Sequence, residues 1–233
     1  MLATLREDVR AVRDRDPAAR ATLEIILCYP GLHAIWGHRV SHWLWGHHFK
    51  LIGRASSALI RWLTGVDIHP AATLGPNLFI DHATGVVIGE TADVGADVTI
   101  YQGVTLGGTS LERGKRHPSV GDRVTIGAGA KVLGPVTIGN DSRVGANAVV
   151  VRPVPANSVV VGVPGQVISR SQPRPATAPL DLDGAVLPDL FGVTLRSLLR
   201  RIDHLETSLP NHPTSTHAQP SEAGVWPGED FSI

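Results

Sequence analysis

The sequence predicts a mainly β protein with an α-helical N-terminal part. A parallel β-helix of hexapeptide repeats spans residues 66–165, a small helical bundle covers residues 1–65, and a Pro-rich tail covers residues 166–233. Three observations carry this reading. Aliphatic residues recur at every sixth position through the middle of the chain. Eight of those thirteen positions are followed directly by Gly. The aromatics are segregated: Trp36, Trp43, Trp45 and Trp62 all precede residue 66, and the middle is built from Gly, Val, Ile, Ala and Asp.

Leu5, Val9 and Val12 are spaced by four and three, the period of a helix face. Asp16 before Pro17 has the form of an N-cap with Pro at the first helical position, so a helix is expected from about Pro17 to Tyr29-Pro30-Gly31. Leu32, Ile35, Trp36, Val40, Trp43 and Leu44 then lie on one stripe, and a further helix is expected from about Leu51 to Thr64. Cys28, the only cysteine, falls on an apolar helix and reads as a small core residue.

The repeat runs Ile68, Leu74, Ile80; Ile88, Val94, Ile100, Leu106; Val120, Ile126, Val132, Ile138, Val144, Val150. A period of six fits neither a helix nor an isolated strand. It fits a short strand plus a turn, with three hexads closing a triangular coil and coils stacking at roughly 4.8 Å. The aliphatic residue fills the interior, and Gly is expected at corners with unusual torsions. The register breaks twice. Ile80 to Ile88 is eight residues, two more than a hexad, through Asp81-His82-Ala83-Thr84-Gly85. Leu106 to Val120 is fourteen, read as two hexads plus two, through GGTSLERGKRHPS. Loops extruded from a rigid stack are where function concentrates. In the tail, eight prolines argue against long regular structure except at about Leu190–Leu209, where Leu195, Leu198, Leu199, Ile202 and Leu205 have helical spacing. The last ten residues, GVWPGEDFSI, read as a flexible arm.

Composition excludes several classes. Lys plus Arg is 21 and Asp plus Glu is 21, which argues against a nucleic-acid or anionic-membrane binder. One Cys allows no intrachain disulfide and no cysteine-based zinc site. No apolar run approaches a membrane span, and MLATLREDVRAVRDRD has no signal-peptide core, so a reduced cytoplasm is expected. The coil region holds only His69, His82 and His117, not spaced for converging metal ligands, so no metal is expected. An imidazole and several carboxylates remain. Asp67 and His82 are fifteen residues apart, a little under one coil, so neighbouring coils can bring them close; an Asp-oriented His is a general base. The alternative is a His satisfied by a backbone carbonyl with Asp67 as a corner residue. Arg116-His117 offers two adjacent donors suited to a carboxylate, or is a solvated turn.

The run VDIHP, FIDHATGVVIGETA, VTLGG, KRHP, IGAGAKVLG, GANAVV and GVPG resembles the serine O-acetyltransferase family, over about residues 5–165 and again at the terminal Ile. The resemblance implies a left-handed β-helix and acetyl transfer from acetyl-CoA to the hydroxyl of L-serine, the committed step toward cysteine, by direct transfer in a ternary complex. It implies that His82 is the general base with Asp67 its partner, and that Asp81 contacts substrate. Arg116 and His117 are implied to hold the serine carboxylate, and Asp16 to meet the amino group. Gly108, Ala128 and Ala146 match backbone positions along the CoA groove; Glu90 lies near the site without an assigned role. The resemblance implies acetyl-CoA as a co-substrate, with no tightly bound cofactor. The implied partners are further copies of the chain, as a homotrimer or a dimer of trimers with sites between subunits, and O-acetylserine sulfhydrylase through Ile233. L-cysteine is the implied inhibitor at the serine site. The alternatives are an acetyltransferase for another acceptor such as a sugar, a γ-class carbonic anhydrase-like zinc enzyme, and a non-enzymatic scaffold for the sulfhydrylase.

Overall fold

The computed structural model describes residues 2–169 and 190–208. Four helices come first: α1 (Leu2–Arg15), α2 (Thr22–Cys28), α3 (Pro30–Gly46) and α4 (Lys50–Thr64). Tyr29 is extended and Pro30 opens α3, where a missing N–H costs nothing. α4 ends on Gly65, whose φ of 72° is the left-handed cap that suits Gly.

The helix expected from Pro17 begins five residues later. Asp16 Oδ1 accepts the Ala18 N–H at 2.8 Å, closing a turn in place of a cap, and Ala21 is extended before α2. Within α2 only Ile25 is buried, so Cys28 is exposed and not a core residue.

Thirteen short strands follow: β1 (Asp67–Ile68), β2 (Thr73–Leu74), β3 (Phe79–Ile80), β4 (Val87–Ile88), β5 (Asp93–Val94), β6 (Thr99–Ile100), β7 (Thr105–Gly107), β8 (Ser119–Val120), β9 (Thr125–Ile126), β10 (Lys131–Leu133), β11 (Thr137–Ile138), β12 (Arg143–Val144) and β13 (Val149–Val150). Each carries one of the thirteen periodic aliphatics. They form three parallel sheets, the faces of a left-handed β-helix. Face A is β1-β4-β7-β10-β13, and face B is β2-β5-β8-β11. Face C is β3-β6-β9-β12, continued by β14 (Ser158–Val161) and an antiparallel β15 (Gln166–Ser169). The register stacks like on like: Ile68, Ile88, Leu106, Val132 and Val150 make one interior ladder, and Ile80, Ile100, Ile126, Val144 and Val160 another. These residues are at most 5% exposed, so one continuous apolar column is the core of the β-helix, and Val12, Ile25, Leu32 and Phe79 form a second cluster under the helices.

The eight periodic glycines have a different cause from the one expected. None has positive φ. A Cβ on Gly75 would lie 2.4 Å from the Gly95 carbonyl oxygen, and one on Gly127 would lie 2.7 Å from Ala146 N. Gly75, Gly95, Gly121, Gly127 and Gly139 are required by the backbone of the next coil, whereas a Cβ on Gly89 would meet the His117 ring. Left-handed torsions fall three residues after the aliphatic at Asn77, Asp97, Arg123, Asp141 and Asn147, four of them Asn or Asp, which tolerate this region.

The second register break is also longer than expected. β7 and β8 are consecutive sides of one coil, so the loop is eight residues over a single hexad. At the C-terminal end, the expected boundary at 165 falls inside the β14–β15 hairpin.

The helices dock on the first coils. Gly31 lies so close to β3 that a Cβ would sit 2.0 Å from Ile80 O. Arg15, 7% exposed, donates to Asn77 O at 2.9 Å and Val98 O at 3.1 Å, and pairs with Asp97 at 3.3 Å. Asp8, also buried, receives Arg39 Nη2 at 2.7 Å and Trp36 Nε1 at 2.9 Å.

The chain divides into two units, residues 1–187 and 188–233. In the second, α5 (Leu190–Ser208) carries Leu195, Leu198, Leu199, Ile202 and Leu205, each substantially exposed. The terminal arm and Ile233 lie outside the described residues. Among the described residues, no helix is long and apolar enough to cross a membrane.

Candidate active site

The first register break turns the chain from face C to face A. His82 and Ala83 both take left-handed torsions, φ 55° and 51°, unusual for non-glycine residues. The loop is tied to the coils on either side: Gly85 N–H donates to Gly65 O and Gly103 N–H to Thr84 O, each at 2.9 Å. Ala83 is fully buried, while the His82 imidazole is 74% exposed. The structure thus anchors the loop and leaves the ring free to meet a ligand.

The acid facing that ring is Asp81, with Oδ2 4.0 Å from His82 Nε2. Asp81 also accepts the His82 N–H at 2.9 Å. Burial pushes the Asp81 carboxyl above its ordinary range; the His82 charge opposes this, and the nearby Asp16 adds to it. Asp16 Oδ2 accepts the Tyr29 hydroxyl at 2.5 Å. Burial and that bond to Asp16 push Tyr29 up to about 12. Two carboxylates and an imidazole therefore share this corner, an arrangement that favours an incoming cation.

Asp67 is not hydrogen-bonded to His82. Its Oδ2 pairs with Arg61 Nη1 at 3.2 Å. The register sets Asp67 beside Val87, one coil from the His82 loop, because the twenty residues from Asp67 to Val87 are one eighteen-residue coil plus the loop's two extra residues. Spacing brings the two residues to neighbouring coils without a hydrogen bond or ion pair between them in this chain.

The second break turns the chain from face A to face B. Arg116 Nη2 is ion-paired with Glu90 Oε2. This bond holds the Glu90 carboxyl below its usual range. His117 is buried, its ring wedged between Gly89 and Gly108: a Cβ on Gly89 would lie 2.0 Å from its Cδ2, and one on Gly108 3.2 Å from its Nε2. Burial, then the Arg116 charge, lowers its pKa, so the ring is held neutral. Lys115 Nζ bonds Asp93 Oδ2 and Thr91 O, both at 2.6 Å. The segment Glu90–Asp93 thus grips Lys115–His117 from the preceding coil.

Gly108 belongs to this A-to-B corner. Ala128 and Ala146 lie at the C-to-A corner, stacked on successive coils beyond the His82 loop, with Asn147 N–H donating to Ala128 O at 2.8 Å. The predicted residues therefore fall into two groups at opposite edges of face A, separated by one triangle side of roughly 15–20 Å. Asp16, Asp81 and His82 are at one edge; Arg116 and His117 are at the other. Tyr29, Thr91, Glu90 as the Arg116 partner, and Arg61 as the Asp67 partner were not assigned roles from sequence.

Comparison with known proteins agrees with this architecture. Residues 1–36 match the family model described as serine acetyltransferase, N-terminal, and residues 117–152 match the bacterial transferase hexapeptide repeat. A serine acetyltransferase of Mycobacterium tuberculosis (strain ATCC 25618 / H37Rv) is 62% identical over 233 residues, 100% of both chains. The crystal structure of the Neisseria gonorrhoeae serine acetyltransferase in complex with serine is similar at 43% identity and TM-score 0.70, covering 72% of this chain and 69% of that one. A serine acetyltransferase in complex with cysteine is similar at 41% identity and TM-score 0.75, covering 80% and 72%. With thirteen stacked hexads and a relative matched from end to end, this chain belongs to the serine acetyltransferase family.

Proposed function

We propose that this chain transfers the acetyl group of acetyl-CoA to the hydroxyl of L-serine, giving O-acetyl-L-serine and CoA, in the cytoplasm. The carrying observation is the pairing of an acid–imidazole corner with an Arg–His corner on one hexad scaffold. One corner suits the ammonium and hydroxyl of an amino acid, the other its carboxylate. A sugar has no carboxylate to engage Arg116.

The two corners of one chain are too far apart to hold one amino acid. We propose that a second copy completes the site, the C-to-A corner of one protomer facing the A-to-B corner of its neighbour in a homotrimer or pair of trimers. In this site Asp16 and Asp81 hold the serine ammonium, and Arg116 and His117 its carboxylate. His82 takes the hydroxyl proton as that oxygen attacks the thioester carbonyl. Asp67 leaves Arg61 to orient the His82 ring. The tetrahedral oxyanion is stabilised by backbone N–H groups, then collapses, breaking the C–S bond. The CoA thiolate receives the proton from His82, so no proton is lost or gained overall. Gly108, Ala128 and Ala146 expose backbone along the CoA groove. L-cysteine, with the same ammonium and carboxylate, competes at the serine site. Ile233 is the proposed contact for O-acetylserine sulfhydrylase.

The test is thiol release from acetyl-CoA with an acceptor panel including L-serine and a galactoside. L-serine should be the preferred acceptor. His82→Ala should lose about 10²–10⁴-fold in kcat while still binding acetyl-CoA. Near-normal turnover in that variant would remove the mechanism.

A further inference from the structure

We propose that Thr91 is a positioning residue for the acceptor carboxylate, acting by fixing both the tautomer of His117 and the backbone of the Arg116–His117 pair. The proposal rests on the reading of Arg116 and His117 as the carboxylate clamp.

The geometry is specific. Thr91 Oγ1 accepts the N–H of Arg116 at 3.0 Å and the N–H of His117 at 3.1 Å. The same oxygen lies 2.9 Å from His117 Nδ1. The backbone N–H of Thr91 donates to that Nδ1 at 3.2 Å, and Thr91 O receives Lys115 Nζ at 2.6 Å. One residue thus contacts three consecutive residues of the loop.

The direction of these bonds sets the chemistry. A backbone N–H can only donate, so Nδ1 is an acceptor and carries no proton. The Thr91 hydroxyl then donates to Nδ1 as well, and its lone pairs are free for the two loop N–H groups. The ring proton is therefore on Nε2, the nitrogen that faces the Gly89–Gly108 slot. His117 is presented as an Nε2–H donor with a fixed orientation. A carboxylate acceptor is the ligand such a donor suits, together with the Arg116 guanidinium held by Glu90. Without the hydroxyl, two half-buried loop N–H groups lose their acceptor and the ring loses one of its two restraints.

The test is kinetic and spectroscopic on the full chain. Thr91→Val removes the hydroxyl at nearly constant volume, and Thr91→Ser restores it. Thr91→Val should raise the serine KM by about 10–100-fold, because a misplacement of about 1 Å in a positioning group costs on the order of 10²-fold. The acetyl-CoA KM should stay within about twofold, and Thr91→Ser should recover most of the loss. ¹⁵N spectra of His117 should show one tautomer in the parent chain and in Thr91→Ser, and a mixture in Thr91→Val. An unchanged serine KM in Thr91→Val overturns the proposal, as does a loss shared by both substrates that Ser does not rescue. Arg116→Ala and His117→Ala are the reference arms. If neither raises the serine KM, the clamp reading fails; if they do and Thr91→Val does not, only the Thr91 role fails.

Discussion

Gly89→Ala should disable the clamp without unfolding the protein. A Cβ at residue 89 would stand 2.0 Å from His117 Cδ2, 2.1 Å from Nε2 and 2.8 Å from Cγ. Ordinary carbon contacts lie near 3.5–4.0 Å, so the ring must retreat by about 1.5 Å. It cannot do so and keep its bonds to Thr91, because those fix Nδ1 on the opposite side of the ring. A misplacement of about 1 Å in a positioning group costs on the order of 10²-fold, so kcat/KM for serine should fall about 100-fold, equivalent to about 2.7 kcal/mol. The stability loss should stay within the ~1–3 kcal/mol typical of overpacking. Steady-state thiol release with varied serine measures the first quantity, and thermal unfolding the second. The decisive control is the double variant with His117→Ala. Once the imidazole is gone the added methyl has room, so the double variant should be no worse than His117→Ala alone. If the two losses multiply, the methyl acts elsewhere and the reasoning is wrong.

Three further outcomes concern the scaffold. His38 is buried beside His42 with Nδ1 unpartnered, and burial, then the His42 charge, lowers its pKa to about 4 from the ordinary 6.5. The unfolded chain therefore binds the proton first: this contribution to stability is full above about pH 6.5 and declines toward pH 4 by about 3 kcal/mol, and denaturant midpoints across that range should fall less steeply in His38→Asn. Gly31→Ala places a methyl 2.0 Å from Ile80 O and should destabilise the docking of α3 on β3 by about 2–3 kcal/mol; a Tm within about 1 °C of the parent would refute that close approach. Arg15→Ala should cost about 3 kcal/mol, because it strips two backbone acceptors and a buried ion pair, whereas Asp97→Asn at the exposed end of that pair should cost under about 1 kcal/mol; equal losses by chemical denaturation would contradict this asymmetry.

The β-helix was legible because its signal is local and repeated. Each aliphatic every sixth residue marks one strand, and all thirteen marked positions lie on strands. The purpose of the glycines was not legible, because close approach to the next coil depends on a residue eighteen or more positions away. The second loop shows the limit of spacing arithmetic. Fourteen residues leave a remainder of two modulo six, whether the segment is two hexads plus two or one plus eight. That ambiguity hid the register linking Glu90 to Arg116 and Thr91 to His117, both 26 residues apart, one coil plus the insertion. The Asp16–Tyr29 bond and the Arg15 contacts depend on how the helices fold back, which local pattern does not encode. The candidate residues themselves were legible as types, but their division between two edges of face A emerges only from sheet order.

The antiparallel β15 has a consequence for solubility. A column of identical rungs is an open polymerisation template, since each end offers unpaired amides in the polarity that the next rung needs. On face C the last strand runs against all the others, with Ser158 facing Ser169 and Val161 facing Gln166. A foreign coil arriving there meets the wrong polarity for continuing the spiral, so one reversed strand limits growth of the column into a fibre.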